Sequence, residues 1–412
     1  MQKWLKVSLG NLFIVSILGV ILRYKIAFSL PFIDQKKLLH AHSHFAFAGW
    51  ITQVLMVLLV SYLIKSGAKD IVRKYTWILL ANLITAYGML FTFPFQGYGL
   101  YSISFSTLSI FVSYIFAVVY WRDLNKLPEK NVSHLWFKAA IFFNALSSIG
   151  AFALAGMMVM KIIHQNWYLE GQYFFLHFQY NGWFFFACMG LLTSKLIVFG
   201  VKPRYLYLSF WLFAAACFPA YILSVLWLKI SIWAYILVVA AAAAQLAGWC
   251  IFIRLIFGSS SFLRFLPIPV KQLFFLAATA CSIKLMLQLC STIPSISKLA
   301  FGFRPIVIAY LHLVLLGTIT FFIIGYIMNE NSTMFRKKAY WGITIFAAGV
   351  ILNEIVLMLQ GVSNLNSLYI PYNDMMLLVV ALIMLLGLSI TISQIKIMGV
   401  ADVDHNLLPQ DL

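Results

Sequence analysis

The sequence predicts an all-α, polytopic membrane protein with twelve transmembrane helices in three pseudo-equivalent four-helix units. The first observation is composition: 63% of the 412 residues are hydrophobic, 10% are charged and the mean hydropathy is +0.95. This apolar content exceeds what one aqueous core can bury. The second observation is a motif that occurs three times at intervals of 133 and 135 residues, a histidine followed five residues later by a glycine.

Twelve apolar segments give the helix count, because most of them reach the roughly 20 residues that a spanning helix needs. They run over residues 7–22, 40–64, 75–95, 101–121, 135–160, 172–196, 205–228, 231–257, 271–291, 304–328, 338–360 and 374–395. We expect one integral membrane domain over 1–412, with repeat units near 1–130, 131–265 and 266–400 and a short, frayed tail at 401–412.

The net charge of +18 is explained by topology. With the N-terminus inside, 20 of the 29 lysines and arginines fall in inside segments, as the positive-inside rule requires. This distribution predicts that both termini are cytoplasmic, in a bacterial inner membrane. It also argues against a nucleic-acid partner and leaves membrane lipids as the expected surroundings.

The repeated motif lies in the second, sixth and tenth helices. Its copies are His44-Phe-Ala-Phe-Ala-Gly49, His177-Phe-Gln-Tyr-Asn-Gly182 and His312-Leu-Val-Leu-Leu-Gly317. Because the copies are four helices apart, the units have the same orientation and are expected around an axis along the membrane normal. At about 1.5 Å per residue the three imidazoles share one layer roughly 8 to 12 Å below the outer boundary.

A histidine within a membrane span is expensive unless it is paired or liganded, so these three are candidates for metal or haem ligation. His40 and His42 precede the first copy. Side chains four apart share a helix face, so His40 and His44 can act together while His42 points away. Of the other histidines, His134, His164 and His405 are expected to be exposed.

Two ionisable residues lie deep in later spans. Lys284 in the ninth and Glu354 in the eleventh helix are expected in the outer half, where they form an ion pair, contact a propionate, or serve a proton or charge pathway. Arg304, at the outer start of the tenth helix, suits a haem propionate or a lipid phosphate because its guanidinium can bind oxygens in pairs.

Twelve helices in three groups of four, with outer-half histidines on helices two, six and ten, resemble subunit I of the haem-copper oxidases and the related nitric oxide reductases. The His40-Ala-His42 segment is also similar to the His-Ala-His segment of the NnrS family. The first resemblance implies that His44 and His312 are the axial ligands of a low-spin haem. It further implies that His177 ligates a metal of the active centre.

The chain departs from the oxidase pattern at two places. The family carries His-x-His in helix ten, where this chain has Tyr310 before His312. The family also carries a histidine pair in helix seven, and residues 205–228 contain no histidine. The resemblance therefore implies a bis-histidine haem site without a complete dioxygen-reducing centre.

The first functional hypothesis is an oxidase-like membrane protein that binds b-type haem, with copper as a second candidate cofactor. Its role would be electron transfer, or oxidoreductase chemistry of the oxidase or nitric oxide reductase type. A quinol or cytochrome electron partner and further membrane subunits are the expected partners. Two alternatives stay open. One is a transporter for a small solute or metal ion. The other is a copper or zinc protein without haem, in which the three repeat histidines converge on one ion; His177, His40 and His42 are the candidate metal ligands.

Overall fold

The computed structural model describes residues 1–297, 304–365, 368 and 370–396, and over these residues the protein is all-helical apart from one isolated bridge, Phe335 to Ile395. The membrane-length helices are α1 (Gln2–Ala27), α2 (Gln35–Lys65), α3 (Val72–Gln96), α4 (Leu100–Asn125), α5 (Val132–Val159), α6 (Gln165–Val198), α7 (Pro203–Cys217, continued by a 3-10 helix at Pro219–Val225), α8 (Ile232–Gly258), α9 (Ile268–Cys290), α10 (Pro305–Glu330), α11 (Lys338–Leu365) and α12 (Asn373–Ser393). Short helices lie at Ser260–Phe265 and Ser332–Met334.

Eleven of the described helices are long and apolar enough to cross a membrane, and the two parts of α7, bent by 47°, make a twelfth if they form one span. Each coincides with one of the twelve segments expected from hydropathy. The prediction of an all-α, polytopic membrane protein is therefore confirmed. The expected tail at 401–412 lies outside the described residues.

Polar residues start several of these helices by accepting a hydrogen bond from a backbone N–H of the first turn, which has no partner within the helix. They cap α2, α5, α6 and α8: Asp34 accepts from Lys37 N, Asn131 from Ser133 N, His164 from Trp167 N and Ser231 from Ala234 N. The boundary of α2 matters most here, because that helix carries three histidines.

Helices α2, α6 and α10 lie at the centre of the bundle. In their most apolar stretches, 72% of α2 and 78% of α6 is buried, against 11% of α4. For α10 the share is 44%, and its buried part is the inner half, where every side chain over residues 317–328 is buried. The indole Nε1–H of Trp50 donates to Thr320 Oγ1, and that of Trp183 donates to Thr52 Oγ1, both at 3.2 Å. Each bond joins a different pair of motif helices, so α2 contacts both α6 and α10.

The other nine helices surround the central three. Neighbours in sequence pack together, as α3 does on α4, α7 on α8 and α11 on α12, and α12 returns to pack along α1. We call the end at which α2, α6 and α10 begin the outer end, following the predicted topology. Functional side chains on the central helices consequently lie between those helices and the surrounding ones.

All three motif helices widen into a π-helix directly after the repeated histidine. The π-helical stretches are Phe45–Thr52, Phe178–Phe184 and Leu313–Thr320. A π-turn leaves some carbonyls poorly bonded, and such turns often occur at functional sites. In α2, side chains from neighbouring helices donate to two of these carbonyls: Asn11 to Gly49 O at 2.6 Å and Asn82 to Ala48 O at 3.1 Å.

The motif glycines allow close approach of neighbouring helices in the second and third copies. A methyl group at Gly182 would lie 2.5 Å from Phe143 Cβ on α5, and one at Gly317 would lie 3.0 Å from Ala280 Cβ on α9. Both distances are shorter than ordinary contacts between carbon atoms. These two glycines are thus required by helix packing.

The inner ends of the central helices are joined by one carboxylate. Glu330, at the end of α10, contacts the ammonium of Lys65 from α2 at 2.6 Å and that of Lys195 from α6 at 2.7 Å. Its side chain is 10% exposed, while those of Lys65 and Lys195 are 59% and 27% exposed. The bundle is therefore held together at its inner end by an ion-pair network that involves all three motif helices.

Candidate functional site

The candidate site lies in the outer half of the bundle, where the charges of His42 on α2 and His312 on α10 influence each other and no described hydrogen bond or ring contact joins the two imidazoles. The His42 ring lies against α1: a methyl group at Gly19 would contact its Cε1 at 3.6 Å, and one ring nitrogen faces the carbonyl of Val15. Arg23, one turn beyond Gly19, interacts with both histidines. Three helices thus bring two imidazoles and a guanidinium together.

One nitrogen of each ring has no described partner. His312 Nδ1–H donates to the carbonyl of Ile308 at 2.8 Å, and no described residue bonds to its Nε2. In His42 the buried Nδ1 has no described partner, and the ring lies near the carbonyl of Val15. Histidines that bind metals usually donate their second ring N–H to a carbonyl or carboxylate. Each of these rings therefore offers one lone pair for a ligand.

Two carboxylates lie near Arg23. The guanidinium interacts electrostatically with Asp374 at the start of α12 and with Glu354 on α11. Asn353 Nδ2 donates to Glu354 Oε1 at 3.2 Å, and no described cation lies within 4 Å of the Glu354 carboxylate. The site accordingly combines two imidazoles with one cationic and two acidic side chains from α1, α11 and α12.

The outer half of α10 is not closed off by its neighbours. Every side chain over residues 305–313 is half-buried, whereas every side chain over 317–328 is buried. The outer half of α10 is thus less enclosed than its inner half, and it includes His312.

His44, expected to share a haem with His312, points to a different neighbour. Its ring stacks on Phe93 of α3 with centroids 4.4 Å apart, and its Nε2 lies 3.3 Å from the hydroxyl oxygen of Tyr98. His40 contacts the same two rings, with centroids 6.1 Å from Phe93 and 4.6 Å from Tyr98. The expectation that His40 and His44 share a face and His42 points away is met, and the face toward His312 is that of His42.

His177, expected to ligate a metal, has both ring nitrogens occupied by protein groups. Its Nε2 lies 2.9 Å from the carbonyl of Cys217, and its Nδ1 lies 3.1 Å from Asn181 Nδ2. Because a carbonyl only accepts and an amide N–H donates, the imidazole donates through Nε2 and accepts at Nδ1. In this arrangement neither nitrogen has a lone pair for a metal.

The break in α7 explains why His177 is needed there. The regular helix ends at Cys217, and Tyr221 N bonds to Phe218 O in the following 3-10 turn, so the Cys217 carbonyl loses its α-helical partner. Pro219 causes such a break because it lacks an N–H and its ring displaces the preceding turn. A free carbonyl at membrane depth needs a donor. His177, whose side chain is fully buried, supplies it.

Lys284 and Glu354 lie in separate clusters. Lys284 is 5% exposed, and its ammonium is 5.8 Å from the Phe185 ring centroid and interacts with the thiols of Cys217 and Cys281. No described carboxylate lies within 4 Å of it. Glu354 belongs to the Arg23 cluster. The ion-pair alternative is thus not what this structure contains.

The remaining candidates have mixed outcomes. Arg304 starts the tenth helix, but its side chain lies outside the described residues, as does His405. His164 is exposed, as expected, and caps α6. The expectation for His134 was wrong: it is 5% exposed and its Nε2 lies 2.8 Å from the hydroxyl of Tyr62. The inner loop before α5 is short, so His134 lies in the first turn of that helix, against α2.

Among the described residues, no three His, Cys, Asp or Glu side chains are placed to hold one metal ion. The three repeat histidines therefore do not converge, and each has its own surroundings.

No known family model matches the chain, and no curated protein matches it significantly. Sequence reasoning also passed over Arg23, although an arginine within the first apolar helix is a signal that could have been followed.

Proposed function

We propose that the protein is an oxidase-subunit-I-like membrane protein that binds one low-spin haem between His42 and His312 and transfers electrons. The observation that carries this proposal is the pair of buried imidazoles in the outer half of the bundle, each with one ring nitrogen that has no described partner. Imidazole binds metals through either ring nitrogen in its neutral form. His42 replaces His44 in the ligand pair that the family resemblance implies.

The chain's own residues would hold the group as follows. The carbonyl of Ile308 fixes the orientation of the His312 imidazole, and Arg23 would provide positive charge near both histidines for the carboxylates of a haem. A haem with two histidine ligands supplies reversible one-electron transfer, because both axial positions are filled. Glu354 and Asp374 balance the charge of Arg23.

Dioxygen reduction is not part of the proposal. In the resembling family that reaction uses a high-spin haem beside a copper with three histidine ligands. Here Tyr310 stands at the position of one ligand, and the ring nitrogens of His177 bond to Cys217 and Asn181. The residues present do not fit a second metal centre of that kind, so the proposed activity is electron transfer with a quinol or cytochrome partner.

The proposal includes three four-helix units related by an axis along the membrane normal. Two features support it: a π-helix follows each repeated histidine, and the Trp50–Thr320 and Trp183–Thr52 bonds run in the same sense from one motif helix to another. We place the protein in a bacterial inner membrane with both termini cytoplasmic, because the basic residues cluster on that side. Further membrane subunits would fit the exposed apolar faces.

The proposal is tested by a pyridine haemochrome assay and a visible spectrum of the purified full-length protein. We expect a b-type haem with a Soret band that shifts on reduction, and its loss in His312→Ala. The matched control is His164→Ala, since that histidine is exposed at the outer end of α6. Absence of haem after expression with an adequate haem supply, or full haem content in folded His312→Ala, would contradict the proposal.

A further inference from the structure

His40, His44 and Tyr98 form a second cluster at the outer end of α2, on the face opposite to His42. The histidines are one helical turn apart, so their imidazoles project in the same direction. Tyr98 lies in the connection between α3 and α4, and its ring centroid is 4.6 Å from that of His40 and 6.0 Å from that of His44. The cluster thus brings two imidazoles and a phenol oxygen together from two parts of the chain.

One ring nitrogen of this cluster has no described partner, and another has only a long contact with a protein group. His40 Nε2 is buried and has no described hydrogen-bond partner, which is costly for a polar atom removed from water. His44 Nε2 is 3.3 Å from the Tyr98 hydroxyl oxygen. Hydrogen bonds of hydroxyl groups are usually about 2.7–2.8 Å long, so this contact is a weak one.

The 3.3 Å distance between His44 Nε2 and the Tyr98 oxygen also fits two ligands of one metal ion. Two ligands bound at about 2.0–2.1 Å in a tetrahedral site lie about 3.3 Å apart. His44 Nε2 and the Tyr98 oxygen are therefore spaced as two ligands of one ion would be. His40, one turn away on the same face, is positioned to supply a third ligand through its unpartnered nitrogen.

The surroundings hold these groups in place. The stacked ring of Phe93 fixes the plane of His44, and the cap that Asp34 makes with Lys37 N fixes the first turn of α2. Near His40 the charges of Lys36 and Asp34 act in opposite directions. Lys36 disfavours a bound cation more than Asp34 favours it, so the lone pairs of the ligands have to outweigh a modest local repulsion.

We propose that His40, His44 and Tyr98 bind a divalent first-row transition-metal ion at the outer end of the bundle. The tetrahedral spacing suits Zn²⁺, and Cu²⁺, which has the higher intrinsic affinity, binds with a small adjustment of that spacing. Imidazole nitrogens suit Cu²⁺, Zn²⁺ and Ni²⁺, and affinities for a given site are highest for Cu²⁺. This set of ligands contains only two histidines, so it is compatible with the finding that no group of three His, Cys, Asp or Glu is present in the described residues. The site is independent of the proposed haem, which uses the other face of α2.

The test is a titration of the purified full-length protein, free of any affinity tag, with Cu²⁺ and then with Zn²⁺. Copper bound per chain is measured by equilibrium dialysis and elemental analysis, and its coordination by electron paramagnetic resonance. We expect one Cu²⁺ per chain with nitrogen hyperfine structure. Copper affinity should fall at least tenfold in His40→Ala and in His44→Ala, and by a smaller factor in Tyr98→Phe, which keeps the ring contacts.

Two control variants make the outcome decisive. His164→Ala removes an exposed outer histidine and should leave copper binding unchanged, and His42→Ala should abolish haem binding while copper binding persists. Retained helicity and gel-filtration profile identify the variants that fold, and His44→Gln serves if His44→Ala does not. Unchanged copper affinity in a folded His40 or His44 variant overturns the proposal, as does loss of copper in His42→Ala. Neither result bears on the haem proposal, because the two readouts are separate.

Discussion

Replacing His177 by leucine tests whether this histidine is structural or a metal ligand. The imidazole is fully buried and makes two hydrogen bonds, 2.9 Å to the Cys217 carbonyl and 3.1 Å to the Asn181 amide. Leucine has a similar size and neither donor nor acceptor. His177→Leu should therefore leave a carbonyl at the break in α7 and an amide on α6 without partners.

The magnitude follows from those two bonds. Hydrogen bonds between transmembrane helices average about 0.6 kcal/mol and reach about 1.7 kcal/mol. The bond to Cys217 joins α6 to α7, and the bond to Asn181 within α6 has the typical net value of about 0.5–1.5 kcal/mol, so losing both should lower the free energy of unfolding by about 1–3 kcal/mol. His177→Gln is the matched variant, because its amide N–H can still reach the Cys217 carbonyl. We expect His177→Gln to regain part of the lost stability.

The assay is reversible unfolding in mixed micelles, followed by helicity, with the haem spectrum recorded on the same samples. We expect reduced stability and an unchanged low-spin spectrum in His177→Leu. Unchanged stability together with altered haem or metal content in a folded sample would refute the structural role. It would show that the bonds to Cys217 and Asn181 give way to a metal.

Three further predictions concern contacts elsewhere. Thr320→Val removes the acceptor of the Trp50 indole N–H, and it should lower stability in micelles by about 0.5–1.5 kcal/mol; an unchanged unfolding curve would contradict this. Glu330→Gln breaks the partly buried pair with Lys195, and a double-mutant cycle on the two residues should yield a coupling of about 1–2 kcal/mol, whereas additive effects would show no network. The backbone N–H of Lys37 lowers the pKa of Asp34. The stabilising effect of the Asp34 carboxylate on α2 is thus complete at neutral pH and lost as pH falls through that lowered pKa. Hydrogen exchange in the first turn of α2 should be faster in Asp34→Ala than in wild type at pH 7, and the two proteins should exchange alike below that pKa.

The helices could be predicted from sequence because membrane spans follow hydropathy. Each of the twelve apolar segments has a counterpart, with differences mainly at the ends, where polar residues such as Asp34 and Asn131 extend a helix beyond its apolar part. The break of α7 could have been read from Pro219. The π-helical stretches could not, because they depend on donors from other helices, such as Asn11 and Asn82.

The sequence predicted candidate residues of the outer half but not which of them share a face of the bundle. Helical periodicity separated His42 from His40 and His44 correctly, and the repeat favoured His44 as partner of His312. Which face of α2 turns toward α10 depends on how α2 is rotated in the bundle, and periodicity within one helix carries no information on that. The same limit applies to Lys284 and Glu354: their similar depth was readable, but their positions around the bundle were not.

The most direct test of the account compares His42→Ala with His44→Ala in low-temperature magnetic circular dichroism of the purified protein, with haem content measured by pyridine haemochrome. The two variants change equivalent side chains two residues apart on one helix, so differences in expression or folding have little part in the result. The account predicts that the bis-histidine low-spin signal is lost in His42→Ala and retained in His44→Ala. Loss in His44→Ala with retention in His42→Ala would contradict it and place the haem on the opposite face of α2.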